Sequence, residues 1–180
     1  MTTDSSISVG IFDGFSWIRC EGKGSFLNSP TLKEFGDERI AGGERCLVVD
    51  LEGCTGMDST FMGTLAGMAA RLTAQDEAVL QVAEPGARNR RSLEDLGLDF
   101  MMEIDPPEAP WRGKTDQVRT RLEAPRKVVP GQLQRTIHVL EAHQTLADAN
   151  DKNARTFSNV VTMLESELAE KQKLAETGDK

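Results

Sequence analysis

The sequence predicts an α/β layer followed by a helical hairpin. Three observations carry this: short β-favouring runs alternate with amphipathic stretches over residues 7–104, the apolar run Cys46-Leu-Val-Val-Asp50 stands between turn signals, and apolar residues recur at helical spacing after residue 132. With 180 residues, 38% hydrophobic and 28% charged, the chain can bury one ordinary core, which excludes a disordered acidic tail.

Residues 7–12 and 15–20 are two β-favouring runs separated by Asp13-Gly14, a strong hairpin signal, so they form an antiparallel pair. Gly22-Lys23-Gly24-Ser25 has the look of a phosphate cradle but lacks the Gly-x-x-x-x-Gly-Lys-Ser/Thr spacing, and reads as a turn. Ser29 before Pro30 offers an N-cap and a proline at the first helical position. Leu32, Phe35 and Ile40 then share a face until Gly42-Gly43, giving a helix over 30–41. Residues 46–50 suit a central strand buried on both faces. A short loop, LEGCTGM, leads to the polar cap Asp58-Ser59-Thr60 and a helix with Met62, Leu65, Ala69 and Leu72 inward. Residues 79–83 form another strand. A third helix over 88–96 turns Leu93 and Leu96 inward and closes at Gly97, and 100–104 form a last short strand.

Charge divides the chain. Residues 1–105 carry 9 basic and 18 acidic groups, 106–131 carry 6 and 3, and 132–180 carry 6 and 8. The basic middle piece is interrupted by Pro106, Pro107, Pro110, Pro125 and Pro130 and reads as a linker, with a short helix around Val118 and Leu122 and Trp111 as a clip onto a neighbour. Beyond it, Ile137, Leu140 and Ala147, then Phe157, Val160, Val161, Leu164 and Leu168, mark an αα-hairpin turning at residues 148–151. Two such stripes need a partner: the first domain, another protein, or a second copy in a homodimer through these helices.

The segment CLVVDLEGCTGMDSTFMGTLAGMAARL, residues 46–72, resembles the signature of the STAS domain of bacterial anti-sigma factor antagonists: apolar strand, Asp-Leu, short loop, Met-Asp-Ser-Thr, then a helix rich in small residues with Gly63 and Gly67. The resemblance implies a mixed β-sheet with helices packed on one side over residues 1–105; the proline-rich basic linker over 106–131 and the helical hairpin extension over 132–180 lie outside it, and minimal members of the family lack the extension. The resemblance also implies that Ser59, with Thr60 as second choice, is phosphorylated by a regulatory serine/threonine kinase or anti-sigma factor and reset by a serine phosphatase. Asp58, Ser59, Thr60, Phe61 and Met62, together with Ser25 and Asn28 of the loop before the first helix, are then the partner-binding residues. The family pattern has a glycine after the Ser-Thr pair where this chain has Phe61-Met62.

Elementary chemistry agrees with a switch at this place. A hydroxyl at a helix start sits beside orphan backbone N–H groups, and a phosphate there adds about −1.5 to −2 charges next to Asp58, with Glu52 expected nearby. A cap alone would also explain Asp58 or Ser59. Arg88, Arg90 and Arg91, opposed by Glu94 and Asp95, read as a solvated face.

Other function classes find less support. A net charge of −8 offers no footprint for nucleic acid. No leader or membrane-length apolar run is visible, so a cytoplasmic protein is expected. Cys20, Cys46 and Cys54 form no Cys-x-x-Cys pair, and His138 and His143 stand five apart, so no metal or other cofactor is expected. A thiol or serine hydrolase using Cys46, Cys54 or Ser59 would have to borrow His138 or His143 from beyond the linker, so no catalytic residue is assigned. A constitutive interaction scaffold, with Ser59 never modified, is the remaining alternative.

Overall fold

The computed structural model describes residues 5–178; residues 1–4 and 179–180, included above in the first domain and the extension, lie outside it. Strands β1 (Ser6–Phe12) and β2 (Phe15–Gly24) pair antiparallel from Ser6 opposite Glu21 to Phe12 opposite Phe15, as the Asp13-Gly14 turn demands. β2 outruns its partner: Gly22 to Gly24 continue it as strand, where a turn was expected, and this extra length pairs in parallel with β4 (Cys54–Met57). The expected loop LEGCTGM therefore ends in a strand. Four residues, one of them glycine, carry too little periodicity to reveal it.

Strand β3 (Cys46–Asp50) lies between β2 and β5 (Val79–Ala83), parallel to both, and a two-residue β6 (Glu103–Ile104) extends the order to β1-β2-β3-β5-β6. The last strand is shorter than expected because residues Leu98–Phe100 coil into a 3-10 turn that leaves Phe100 on the surface. Helices α1 (Ser29–Ala41) and α2 (Ser59–Thr73) pack Leu32, Leu65, Met68 and Leu72 against Leu47 and Val49 on one sheet face. α3 (Gly86–Asp95), starting two residues before its expected limit, adds Leu93 to the same core.

Alternate residues of β3 serve opposite faces. Val48 joins Phe15, Trp17, Ala83, Ala109, Trp111 and Val118 in a second cluster, which is why the strand is apolar without interruption. Its outer cover is the 106–131 segment. Trp111 is fully buried edge-on against Trp17 (5.4 Å between ring centroids), and its Nε1 donates to Gln81 Oε1 (2.7 Å). The short helix α4 (Thr115–Arg119) follows, and Glu123 exchanges two 2.8 Å backbone bonds with Val9 along the outer edge of β1. The segment expected as a linker thus lies on the sheet.

Helix α5 (Gln132–Ala149) packs on α2, and α6 (Asp151–Thr177) packs on α5. The turn between them is tighter than the polar run 148–151 suggested, with Asn150 alone outside the helices. Its Oδ1 caps α6 by accepting from the Asn153 amide (2.8 Å), while the side-chain amides of Asn150 and Asn153 both donate to Leu96 O.

Candidate functional site: the start of helix α2

Asp58 organises this end of the molecule. One carboxylate oxygen caps α2 by accepting from the Phe61 amide (2.8 Å). The other accepts from the Phe26 amide (2.8 Å) and draws the loop before α1 alongside. The Asp58 amide bonds Gly24 O (2.9 Å), tying the helix start to the end of β2. Within the loop, Asn28 Oδ1 accepts from the Ser25 amide (2.9 Å), and its Nδ2 donates to Lys23 O (3.0 Å). Ser25, Asn28 and Asp58 therefore share one hydrogen-bonded unit. Asn28, not Ser29, occupies the cap position of α1, without a side-chain cap bond, and the Ser29 hydroxyl lies 2.7 Å from His138 Nε2.

Ser59 is the first residue of α2 and is half-buried. Its Oγ lies 2.9 Å from His143 Nε2 of α5. His143 Nδ1 is 2.7 Å from Val139 O; a carbonyl only accepts, so Nδ1 carries a proton and fixes the ring with Nε2 toward Ser59. The imidazole also meets Phe157 of α6 edge-on, 5.7 Å between centroids. Thr60 is 5% exposed, which leaves Ser59 as the more accessible hydroxyl of the pair.

Phe61 and Met62, expected to touch a partner, belong to the core instead. Phe61 is fully buried, its ring filling the space that Gly24 leaves by having no side chain, and Met62 is buried beside it. The missing family glycine after Ser-Thr is thus replaced by an aromatic turned inward. The exposed apolar side chains at this end are Phe26 (42% exposed) and Leu27 (69%), which sequence reasoning missed although they stand between Ser25 and Asn28 in a polar loop.

His138 and His143 were also missed as site residues. Their five-residue spacing spoke only against a shared metal; in the fold it lets one helix reach the starts of two others. Burial, reinforced by the Lys33 ammonium and opposed by Asp58 and Asp37, pushes the His138 imidazole down to about 4.

Glu52, expected beside Ser59, pairs instead with Arg19 (2.8 Å) in a separate cluster. There the fully buried Asp50 carboxylate accepts from Trp17 Nε1 (3.1 Å), Arg19 (3.0 Å) and Arg119 (2.8 Å). Burial alone would push the Asp50 carboxyl up; the bonds from Arg119, the Glu52 amide and Arg19 outweigh it and hold the group below its ordinary value. This cluster fastens the 106–131 segment to the end of β3. On α3, Arg90 and Glu94 form an exposed i,i+4 pair (2.9 Å). Cys20, Cys46 and Cys54 are free thiols. Among the described residues, no group of three or more His, Cys, Asp or Glu is placed to hold a metal ion, and no helix is long and apolar enough to cross a membrane.

A mixed sheet with helices on one face, which brings one helix start and one adjoining loop together at an end of the layer, defines an α/β domain. The STAS domain family model matches residues 6–109, and the chain belongs to that family. Among solved structures, it is similar to an anti-sigma factor antagonist from Mycobacterium paratuberculosis (23% identity, 66% of this chain and 97% of that one, TM-score 0.53). It is also similar to a Thermotoga maritima protein described as an anti-sigma factor antagonist (17% identity, 63% of this chain and 94% of that one, TM-score 0.52). At these identities the likeness is one of fold. No curated protein matches the chain. The hairpin lies beyond the family match.

Proposed function

We propose that this chain is a regulatory binding module of the anti-sigma factor antagonist kind, acting in the bacterial cytoplasm and switched by phosphorylation of Ser59. The single observation that carries the reading is the position of Ser59: first residue of α2, beside a capping aspartate that also holds the partner loop, in a chain of the STAS family. A partner serine kinase or anti-sigma factor binds the face made by Asn28, Asp58 and Ser59, with Phe26 and Leu27 as its apolar contacts, while Ser25, expected on that face, is buried and holds the loop. Phosphate on Ser59 adds about −1.5 to −2 charges beside Asp58, which burdens that interface with repulsion and desolvation, and a serine phosphatase restores binding.

The constitutive scaffold remains a second reading, supported by the engagement of the Ser59 hydroxyl with His143. Phosphosite mapping on protein purified from its host under growth and stress, combined with partner capture by Ser59→Ala and Ser59→Asp, separates the two. The switch requires Ser59 phosphate whose occupancy changes with conditions and capture by Ser59→Ala alone. A well-covered, unmodified Ser59 peptide and equal capture by both variants would leave the scaffold.

A further inference from the structure

Ser59, the centre of the face assigned above to a partner, is already engaged within the chain. α5 lays His143 on the Ser59 hydroxyl and His138 on the Ser29 hydroxyl, so that one helix bonds the first residues of both α1 and α2. Between these anchors the backbones come into contact: a Cβ on Gly63 of α2 would run into the carbonyl of Ala142 of α5, and Ala142 is itself buried. Only glycine at 63 permits this approach, although alanine is the better helix former by about 1 kcal/mol. Outside α5, helix α6 supports His143 through Phe157.

The geometry points to the hairpin as an internal ligand: the Ser59 face is a helix-docking surface, α5 is its occupant in cis, and an outside partner gains Ser59 only by displacing α5. The competitor that fits has matching chemistry, a helix with a small residue against Gly63 and a hydrogen-bond acceptor facing Ser59. A closed hairpin lowers the partner's apparent affinity by the fraction of molecules that are open. A phosphate or carboxylate at position 59 acts in the opposite direction, since the 2.9 Å between Ser59 Oγ and a ring nitrogen held in place by Val139 and Phe157 leaves no room for the added oxygens. Phosphorylated or acidic Ser59 therefore releases α5, and closed α5 protects Ser59 from its kinase, as reciprocal coupling requires.

This inference rests on the reading of Ser59 as the partner face, but its test needs no partner. Amide hydrogen exchange on the full chain compares wild type, Ser59→Ala and Ser59→Asp. Exchange across α5 and α6 faster in Ser59→Asp than in Ser59→Ala by on the order of tenfold, with β3 and β5 amides unchanged, is the expected result. Equal exchange of the hairpin in both variants overturns it. Should Ser59→Asp loosen the sheet as well, Gly63→Ala decides the matter without adding charge: a hairpin that exchanges faster above a protected sheet supports displacement, and an unchanged hairpin refutes it. Failure of the phosphorylation switch would show instead as absent Ser59 phosphate in cells, whatever the exchange result.

Discussion

His138 and His143 do different work within one helix, set by what each ring meets. His138 is buried against Ser29 and held neutral, its pKa near 4 against 6.5 for an ordinary imidazole. Between those values the unfolded chain binds a proton that the folded chain refuses, so stability is full above pH 6.5 and falls as pH drops toward 4. The slope approaches about 1.4 kcal/mol per pH unit for one proton. Urea denaturation at pH 7 and pH 5 checks this: the wild type should lose more stability over that interval than His138→Gln, and parallel losses would remove His138 as the cause. His143, by contrast, has its Nδ1–H bound to Val139 O and turns Nε2 to the Ser59 hydroxyl. It is a positioning group for α5.

At the scale of elements, the basic 106–131 segment acts as a strap. It supplies the second core cluster through Ala109, Trp111 and Val118, and it completes the neutralisation of Asp50 through Arg119. Part of its charge, the Arg119 guanidinium, goes to that one buried carboxylate. Trp111→Ala removes a fully buried side chain that packs on Trp17 and leaves Gln81 without its indole donor, so a loss of about 3–5 kcal/mol is expected in denaturant unfolding. A loss below 1 kcal/mol would show that the strap contributes little to the fold.

At the scale of the whole molecule, three layers succeed one another on the site face: sheet, then α1 and α2, then the α5–α6 hairpin. Chain connectivity between the strap and the hairpin runs through the 124–131 stretch, where Arg126 and Lys127 are exposed although the Val128 amide still bonds Thr31 (3.1 Å). If docking of α5 rests on its own contacts rather than on this tether, limited trypsin treatment should nick the chain near Arg126 and Lys127. Both fragments should then elute together in gel filtration and part only in denaturant. A hairpin fragment that elutes alone under native conditions would mean that the tether holds it.

Local pattern was sufficient for the strands at 46–50 and 79–83, the hairpin around Asp13-Gly14, the helix after Asp58 and the helical pair at the C-terminus, because each is written in nearest-neighbour chemistry: turn residues, caps and apolar period. The position of Ser59 at a helix start was legible for the same reason. Tertiary structure alone decided the rest. β4 exists only because β2 overruns its hairpin partner, Phe61 turns inward only because Gly24 makes room, and Asp50 is tolerated in the core only because Arg19 and Arg119 converge on it. Above all, the meeting of Ser59 with His143, 84 residues apart, depends on a close approach of two helices that no local period encodes. Helical spacing specifies which face of α5 is apolar, but what that face covers is set by the shape of the surface it finds.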